Sequence, residues 1–482
     1  MKKSLYGVLY LLCFGIVSIV ASTTAYATNG MNMEGYGPIA TGMGGASMAY
    51  DNGTAAMMNN PATLGLMPEG NRLDVAVGLL GPHVKATCEA GPCAGQSVDS
   101  SGTAYYMPAL GWVRKSGQFS YGIGMFGQGG MGTEYSGDSF MAAGSGEKVR
   151  SELSVGRVIV PFAYEVNKDI SVAASVDYVW AGLDLKMALS GAQFADLATP
   201  GQQVFGTASG SLVNTFGTFI AGGLGVNWAR FDFSDSSDFT GSAKGTGFAG
   251  KIGGVYKVND QITIGAMYHS KTALGDLETD KAKVSMNVDA TAFGMPSNVP
   301  MVLQGKIQVK DFEWPQMAGA GIAYQANSQL VLVFDYKWIN WADVMKNFKM
   351  TFTTDQSASN DFSGSFGPGA DLRGQSMDAT LFQNWKDQHV IMIGAGYKVS
   401  PEWVLRAGLN YANNPIPDTY LNALFPAIEK SHVMIGAGYI ISTATTVDAS
   451  FTYAPEVKQT ADSGVTSTHS QTNAQVMLSY RF

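Results

Sequence analysis

Apolar and polar residues alternate with a period of two over much of the chain. Val172, Ala174, Val176, Tyr178 and Trp180 alternate with Ser171, Ala173, Ser175 and Asp177. Ile262, Ile264, Ala266 and Tyr268 alternate with Thr263, Gly265, Met267 and His269, and a third run spans Thr445 to Tyr453. Successive side chains of a strand point to opposite faces, so each run predicts a strand with one apolar face and one small or polar face. Fourteen strands are predicted, over 71–80, 104–114, 119–134, 151–166, 169–188, 245–257, 261–273, 316–325, 329–347, 388–398, 402–411, 431–441, 444–454 and 473–482. Short turns at 115–118, 167–168, 259–260, 326–328, 400–401 and 442–443 alternate with long connections, the longest over 189–244 and 348–387. A soluble sandwich uses shorter strands and two-sided cores. Long strands joined alternately by short turns and long loops fit an even-stranded antiparallel barrel in an outer membrane. Lipid offers backbone groups no hydrogen-bond partners, so closure must remove every sheet edge. The last strand puts Ala474, Val476, Leu478, Tyr480 and the terminal Phe482 on one face. A fourteen-stranded barrel encloses more space than its side chains fill, so something must occupy the lumen.

Composition narrows this further. Charged residues make up 14% of the 482 and apolar residues 46%, which excludes disorder. A mean hydropathy of +0.04 is too low for a helical membrane bundle. The net charge of −8, with no cluster of Lys and Arg, speaks against a nucleic-acid partner. Lys2 and Lys3 precede an apolar run from Leu5 to Val20, and Ala25-Tyr-Ala27 supplies small residues. This reads as a signal peptide over 1–27, with export and a mature chain from Thr28. The semi-apolar stretch from Leu212 to Ala229 carries Asn214, Thr215, Thr218 and Asn227, and reads as a loop or a short packed helix. Cys88 and Cys93 flank a Gly-Pro turn, and in an oxidising compartment they are expected to form a small disulfide loop. A metal site there would lack ligands, and no cofactor is expected.

Residues 28–70 do not alternate. They hold Gly35-Tyr-Gly-Pro, Thr41-Gly-Met-Gly-Gly-Ala and Asp51 through Asn60-Pro61-Ala62, small residues that suit close packing in a confined lumen. The domain reading is therefore signal peptide 1–27, plug 28–70 and barrel 71–482 with long outer loops. With Asn60, Pro61 and Ala62 in this place, the chain resembles the FadL-type outer-membrane family of long-chain fatty-acid and aromatic-hydrocarbon transporters. Gly132-Thr-Glu-Tyr135, Phe334 through Trp341, Arg406 through Tyr411, Pro415-Ile-Pro417 and His432 through Tyr439 resemble further segments of that family.

The resemblance implies a fourteen-stranded barrel plugged by an N-terminal hatch carrying the Asn-Pro-Ala motif. It implies passive uptake of hydrophobic molecules, with a sideways exit at a kink in the third strand. Phe126, Gly127, Gly129 and Gly130 are the kink candidates, since glycines in a strand mark bulges. Met31, Met33, Met57 and Met58 are candidate pocket residues because thioethers adapt to varied ligands. Phe216, Phe219 and Ile220 in the longest loop are candidates for an outer groove. A carboxylate ligand would want a cation, and Lys337, Arg406 or Arg373 is available, although salt bridges account for each as well. The expected partners are a hydrophobic small molecule, outer-membrane lipid and lipopolysaccharide, and the chain is expected to be a monomer. Fatty acids and aromatic hydrocarbons both stay open as ligands. A general diffusion porin, or a structural or adhesive barrel, is the alternative.

An enzyme is not expected. Gly245-Thr-Gly-Phe-Ala-Gly250-Lys251 imitates a phosphate loop, but Ile252 stands where Ser or Thr is needed and no helix pattern follows. His269 and Ser270 are neighbours on a strand and point to opposite faces, with no third group to orient them.

Overall fold

The computed structural model describes residues 29–198, 204–237 and 241–482. The signal peptide expected over 1–27 lies outside them. Among the described residues twenty-two strands, β1 to β22 in chain order, join in one sheet. A closed ring runs through β1 (Gly70–Cys88), β3 (Tyr105–Ser116), β4 (Phe119–Tyr135), β5 (Val149–Glu165) and β6 (Ile170–Ser190). It continues through β9 (Ala243–Lys257), β10 (Ile262–His269), β14 (Met317–Gln325), β15 (Leu330–Ile339) and β18 (Gln388–Lys398). β19 (Trp403–Ala412), β20 (Ser431–Ile440), β21 (Thr445–Thr460) and β22 (Val465–Arg481) complete it. β22 pairs antiparallel with β1 from Arg72↔Arg481 to Cys88↔Val465, which closes the barrel.

The alternation read from the sequence decides which face points outward. Val75, Val77 and Leu79 of β1, Val172 and Val176 of β6, and Phe248 and Ile252 of β9 are exposed, Val176 at 62%. Between them Asp74, Ser171, Ser175, Asp177 and Lys251 are buried. A barrel that is apolar outside and polar inside is built for lipid. Three short turns share one device: the Oδ1 of Asn167, Asn259 and Asn327 accepts two backbone N–H groups each, at 2.8–3.0 Å. Asn caps a tight turn in this way because its side chain mimics a backbone carbonyl.

The reading of fourteen strands falls short of the twenty-two observed. The additional ones lie in the long connections. From the far end of β6 a second run of sheet extends through β8 (Gly225–Phe233), β12 (Leu277–Asp289), β13 (Val299–Lys310), β16 (Asn347–Thr354), β17 (Ser376–Phe382) and β7 (Gly206–Ser209). β2 (Ser97–Asp99) pairs with the extended end of β1, and β11 (Ala273–Leu274) with β9. Long connections that pack on one another must pair their backbone groups, and they do so as strands. The stretch 212–229 divides between a helix, Ser211–Ala221, and β8. No helix among the described residues is long and apolar enough to cross a membrane. Cys88 and Cys93 are joined, with Cα atoms 5.7 Å apart.

Residues 29–67 form no strand of the ring. They fold into a short helix (Pro38–Thr41) and two 3-10 turns (Gly53–Met57 and Pro61–Leu66), nearly all buried. Their contacts are with the inward face, on widely separated strands. Asp74 of β1 accepts the Thr54 N–H at 2.8 Å, and Asp335 of β15 accepts those of Ser47 and Met48 at 2.5 and 3.0 Å. Asn60 donates to the carbonyls of Met48 and of Gly254 on β9, at 2.8 and 3.2 Å. The glycine run has a steric cause here. Gly44 has φ +77°, and a Cβ on it would sit 2.5 Å from the Leu409 carbonyl and 2.6 Å from that of Ile393.

Candidate ligand-binding site

β4 is irregular where the glycines cluster. Its ladder with β5 steps from Gly127↔Gly156 to Gly129↔Val155, so Gln128 is an additional residue and the strand bulges. Before the bulge the even positions Ser120 to Phe126 are buried; after it Thr133 and Tyr135 are. On its other side β4 loses its neighbour. The β3–β4 ladder ends at Ala109↔Phe126, while Tyr105 to Pro108 stay paired with β1. The N-terminal segment stands in the vacant place: Asn32 bridges Gly129, and Gly130 donates to the Met31 carbonyl at 3.0 Å. A Cβ at Gly129 would run into that carbonyl, and one at Gly130 into the carbonyl of Leu153. Bulge, gap and N-terminal segment are one construction.

A cavity of about 200 Å³ opens there. Met31 and Met33 line it from the N-terminal segment, Leu80 and Val84 from β1, Tyr105 to Pro108 from β3, and Trp180 from β6. Met125 to Gly127 and Gly129 to Thr133 supply the bulged wall. The lining includes the buried Gln471 and also Tyr106 and Met125, which are 57% and 41% exposed on the lipid side. The lining thus draws on both faces of the wall where β3 and β4 part. None of the described residues lining it is Lys or Arg; its ionisable groups are Glu34, Glu152, His469 and two tyrosines. A second cavity, about 30 Å³, lies on the long-loop side and is lined by Met31, Leu153, Leu183, Leu185, Met187, Phe312, Phe348, Trp385 and Phe425 among others.

Of the residues singled out from the sequence, the structure gathers Met31, Met33, Phe126, Gly127, Gly129 and Gly130 around the larger cavity. Met57 and Met58 pack behind it in an apolar cluster with Met33, Phe126 and Ile159. Phe216 and Phe219 are elsewhere, in an aromatic cluster of the loops where Phe219 and Phe293 each contact Phe366. Ile220 on the same helix is 40% exposed. Lys337 is buried on β15 and lines neither cavity. Arg406 pairs with Asp448 at 2.8 Å. Arg373 is held between Asp361 and Asp371, and its hydrogen bonds keep the Asp371 carboxyl down at about 2. The cations considered for a carboxylate ligand are thus away from the cavity or already paired. Asn60, Pro61 and Ala62 form a cap: the Asn60 Oδ1 accepts the Ala62 N–H, and Pro61 opens the 3-10 turn.

Sequence reading missed Tyr105, Trp180, Pro426, Ala427, His469 and Gln471, which come together only through the ring. It also missed a buried charge network beneath the N-terminal segment. Arg157, Lys251 and His269 surround the Asp177 carboxylate at 3.3, 3.4 and 3.3 Å. Arg157 also donates to the Gln128 side chain, and Lys251 to the Met57 carbonyl at 2.5 Å. The false phosphate loop is a stretch of β9, and its Lys251 serves this network. Among the described residues no group of His, Cys, Asp and Glu is placed to hold a metal ion.

Comparison with known proteins settles the family. Residues 15–480 match the profile described as outer membrane protein transport protein (OMPP1/FadL/TodX). The chain belongs to the OMPP1/FadL/TodX family. Members carry hydrophobic compounds through an outer-membrane β-barrel, which agrees with what the resemblance implied. The Pseudomonas putida toluene transporter TodX is 30% identical, with a TM-score of 0.77 over 93% of this chain and 99% of that one. The Ralstonia pickettii toluene transporter TbuX is also 30% identical, with a TM-score of 0.71 over 93% and 99%. A Pseudomonas aeruginosa FadL homologue, 15% identical, shares the fold with a TM-score of 0.65 over 94% and 100%. A curated relative from Chlorobium limicola, an uncharacterized protein from the 5′ region of a phosphoenolpyruvate carboxykinase gene, is 50% identical over 68 residues. That match spans 14% of this chain and a third of the relative's length.

Proposed function

We propose that this family member admits small neutral aromatic hydrocarbons across the outer membrane, passively and as a monomer, and releases them sideways into the lipid. The observation that carries the substrate class is the cavity beside the β4 bulge: about 200 Å³, mostly apolar, with no Lys or Arg in its lining. An apolar cavity of about 150 Å³ suffices for benzene, whereas drug-sized ligands occupy about 300–1,000 Å³. A fatty-acid carboxylate placed there would meet Glu34 and Glu152 and no cation. TodX and TbuX, each 30% identical to this chain, are toluene transporters.

The gap between β3 and β4 supports the sideways exit, because it joins the inside of the barrel to exposed side chains without crossing a ladder. Residues 28–70 act as the hatch on this reading. Their hydrogen bonds to Asp74, Asp335 and Gly254 fasten them to three separate strands. Asn60→Ala removes one of those fastenings and the cap on Ala62, a loss of about 1–3 kcal/mol. The expected result is a folded barrel whose hatch is cleaved sooner by added protease; equal cleavage of variant and parent would refute the role of Asn60. Leader removal delivers the chain to the outer membrane, where its apolar band meets lipid and lipopolysaccharide.

The test of the function is uptake of labelled toluene and labelled oleate by cells lacking their own transporter. Faster toluene entry alone supports the proposal. Oleate entry alone moves the ligand to fatty acids, and faster entry of small sugars than of either probe would establish a diffusion porin.

A further inference from the structure

We infer that Met31 and Leu153 are the size filter of this channel, a side-chain gate between the cavity on the long-loop side and the cavity at the β4 bulge. The inference rests on the transport reading above. Both residues line both cavities, and both are buried, at 3% and 5% exposure. A hydrophobic molecule moving from one cavity to the other must pass between them.

The rest of the partition is fastened. Phe425 lines the smaller cavity while Pro426 and Ala427 line the larger, so the connection between β19 and β20 runs between the two. Several groups of the barrel wall hold that connection. The Tyr135 hydroxyl donates to the Ala423 carbonyl at 2.9 Å, Thr133 to the Leu424 carbonyl at 3.1 Å, and His469 Nδ1 lies 3.0 Å from the Pro426 carbonyl. The Leu153 backbone is laddered on both sides, to Met131 of β4 and Leu183 of β6.

What remains free to move is side chain. Met31 is unbranched, with three rotatable bonds, so it can swing aside without moving the backbone. Leu153 is branched on a strand laddered on both sides and forms the fixed lip. A single flat ring needs only Met31 to turn. A second fused ring adds length and volume that must clear Met31 and Leu153 together, so the filter passes one-ring compounds faster than larger ones.

The experiment uses the full barrel in cells lacking other transporters of aromatic compounds, with labelled toluene and labelled naphthalene as probes. Heat-dependent gel mobility of outer-membrane extracts identifies the variants that fold. Met31→Ala is expected to raise the naphthalene-to-toluene uptake ratio by about tenfold or more, the scale on which a missing side-chain carbon changes a hydrophobic fit. Met31→Phe and Leu153→Phe narrow the passage and are expected to lower toluene uptake by a similar factor. Toluene uptake by the parent together with an unchanged ratio and rate in the folded variants overturns the filter. A parent barrel that takes up neither probe overturns the transport reading, and the filter falls with it.

Discussion

Deleting Gln128 is expected to abolish toluene uptake by a barrel that still folds and reaches the outer membrane. Gln128 is the residue at which the β4–β5 register shifts by one. Without it Gly127↔Gly156 would be followed directly by a partner for Val155, and the strand would run on unbent. Inward and outward positions on either side of the deletion keep their faces, since the bulge alone separates the two alternation registers. A straight β4 can pair with Tyr105 to Pro108 of β3, which closes the gap through which the cavity reaches the lipid side. Two contacts are lost as well: the Gln128 side chain accepts from Arg157, and its carbonyl accepts the Tyr36 hydroxyl at 2.6 Å. The measurement is toluene uptake normalised to folded barrel in the outer membrane. Uptake at the parental rate would show that ligand leaves by another route, through the short-turn end of the lumen.

Asp177→Leu is expected to give the largest loss of stability of any single substitution in the lumen. Arg157 and Lys251 are both fully enclosed, and the Asp177 carboxylate is the anion between them. Removing it leaves two cations facing each other in a dry interior, a cost of about 3–5 kcal/mol. The damage reaches further, because Arg157 holds the bulge through Gln128 and Lys251 holds the N-terminal segment through Met57. The temperature at which the folded band converts to the unfolded one on gels should fall clearly. Replacing the three charges together, Arg157→Met with Asp177→Leu and Lys251→Met, should recover most of the fall, since an apolar set of similar volume has no stranded charge. A single Asp177→Leu variant as heat-resistant as the parent would show that water or an ion compensates the pair.

The ring strands were legible because lipid and lumen impose opposite chemistry on alternate residues. β4 was expected over 119–134 and runs Phe119–Tyr135; β18 was expected over 388–398 and runs Gln388–Lys398. β1 and β22 outran their predicted ends because their upper halves pair with each other above the alternating region, where Thr466, Ser467, Thr468 and His469 give no apolar period. The strands inside the long connections alternate in part: Val284, Met286 and Val288 of β12 and Ile307 and Val309 of β13 are buried between polar neighbours. They were missed because their apolar faces pack on one another and on loop. β8 is the clearest case: Val226 and Trp228 sit in a stretch that reads equally well as helix or loop until β6 and β12 flank it.

The candidate site divides along similar lines. Phe126-Gly-Gln-Gly-Gly130 was the candidate for the bend that the family resemblance implied, because glycines inside a strand weaken it. Nothing in that run says that Met31 and Asn32 take the place of β3 beside it. Phe216 and Phe219 looked like pocket residues because they are aromatic in a long loop, yet Phe216 packs on Phe219 and Phe219 stacks on Phe366.

By itself the sequence determined the class of fold, the strands that meet lipid and the small-residue segment before β1, since each follows from period or composition within a few neighbouring residues. Only the tertiary structure decided where the cavity lies, which charges meet beneath the N-terminal segment and which residues line both cavities. Those depend on closure of the ring, which brings Met31, Leu153, Ala427 and His469 together from distant parts of the chain. Local pattern carries no record of a contact between residues that only the closing of a sheet makes neighbours.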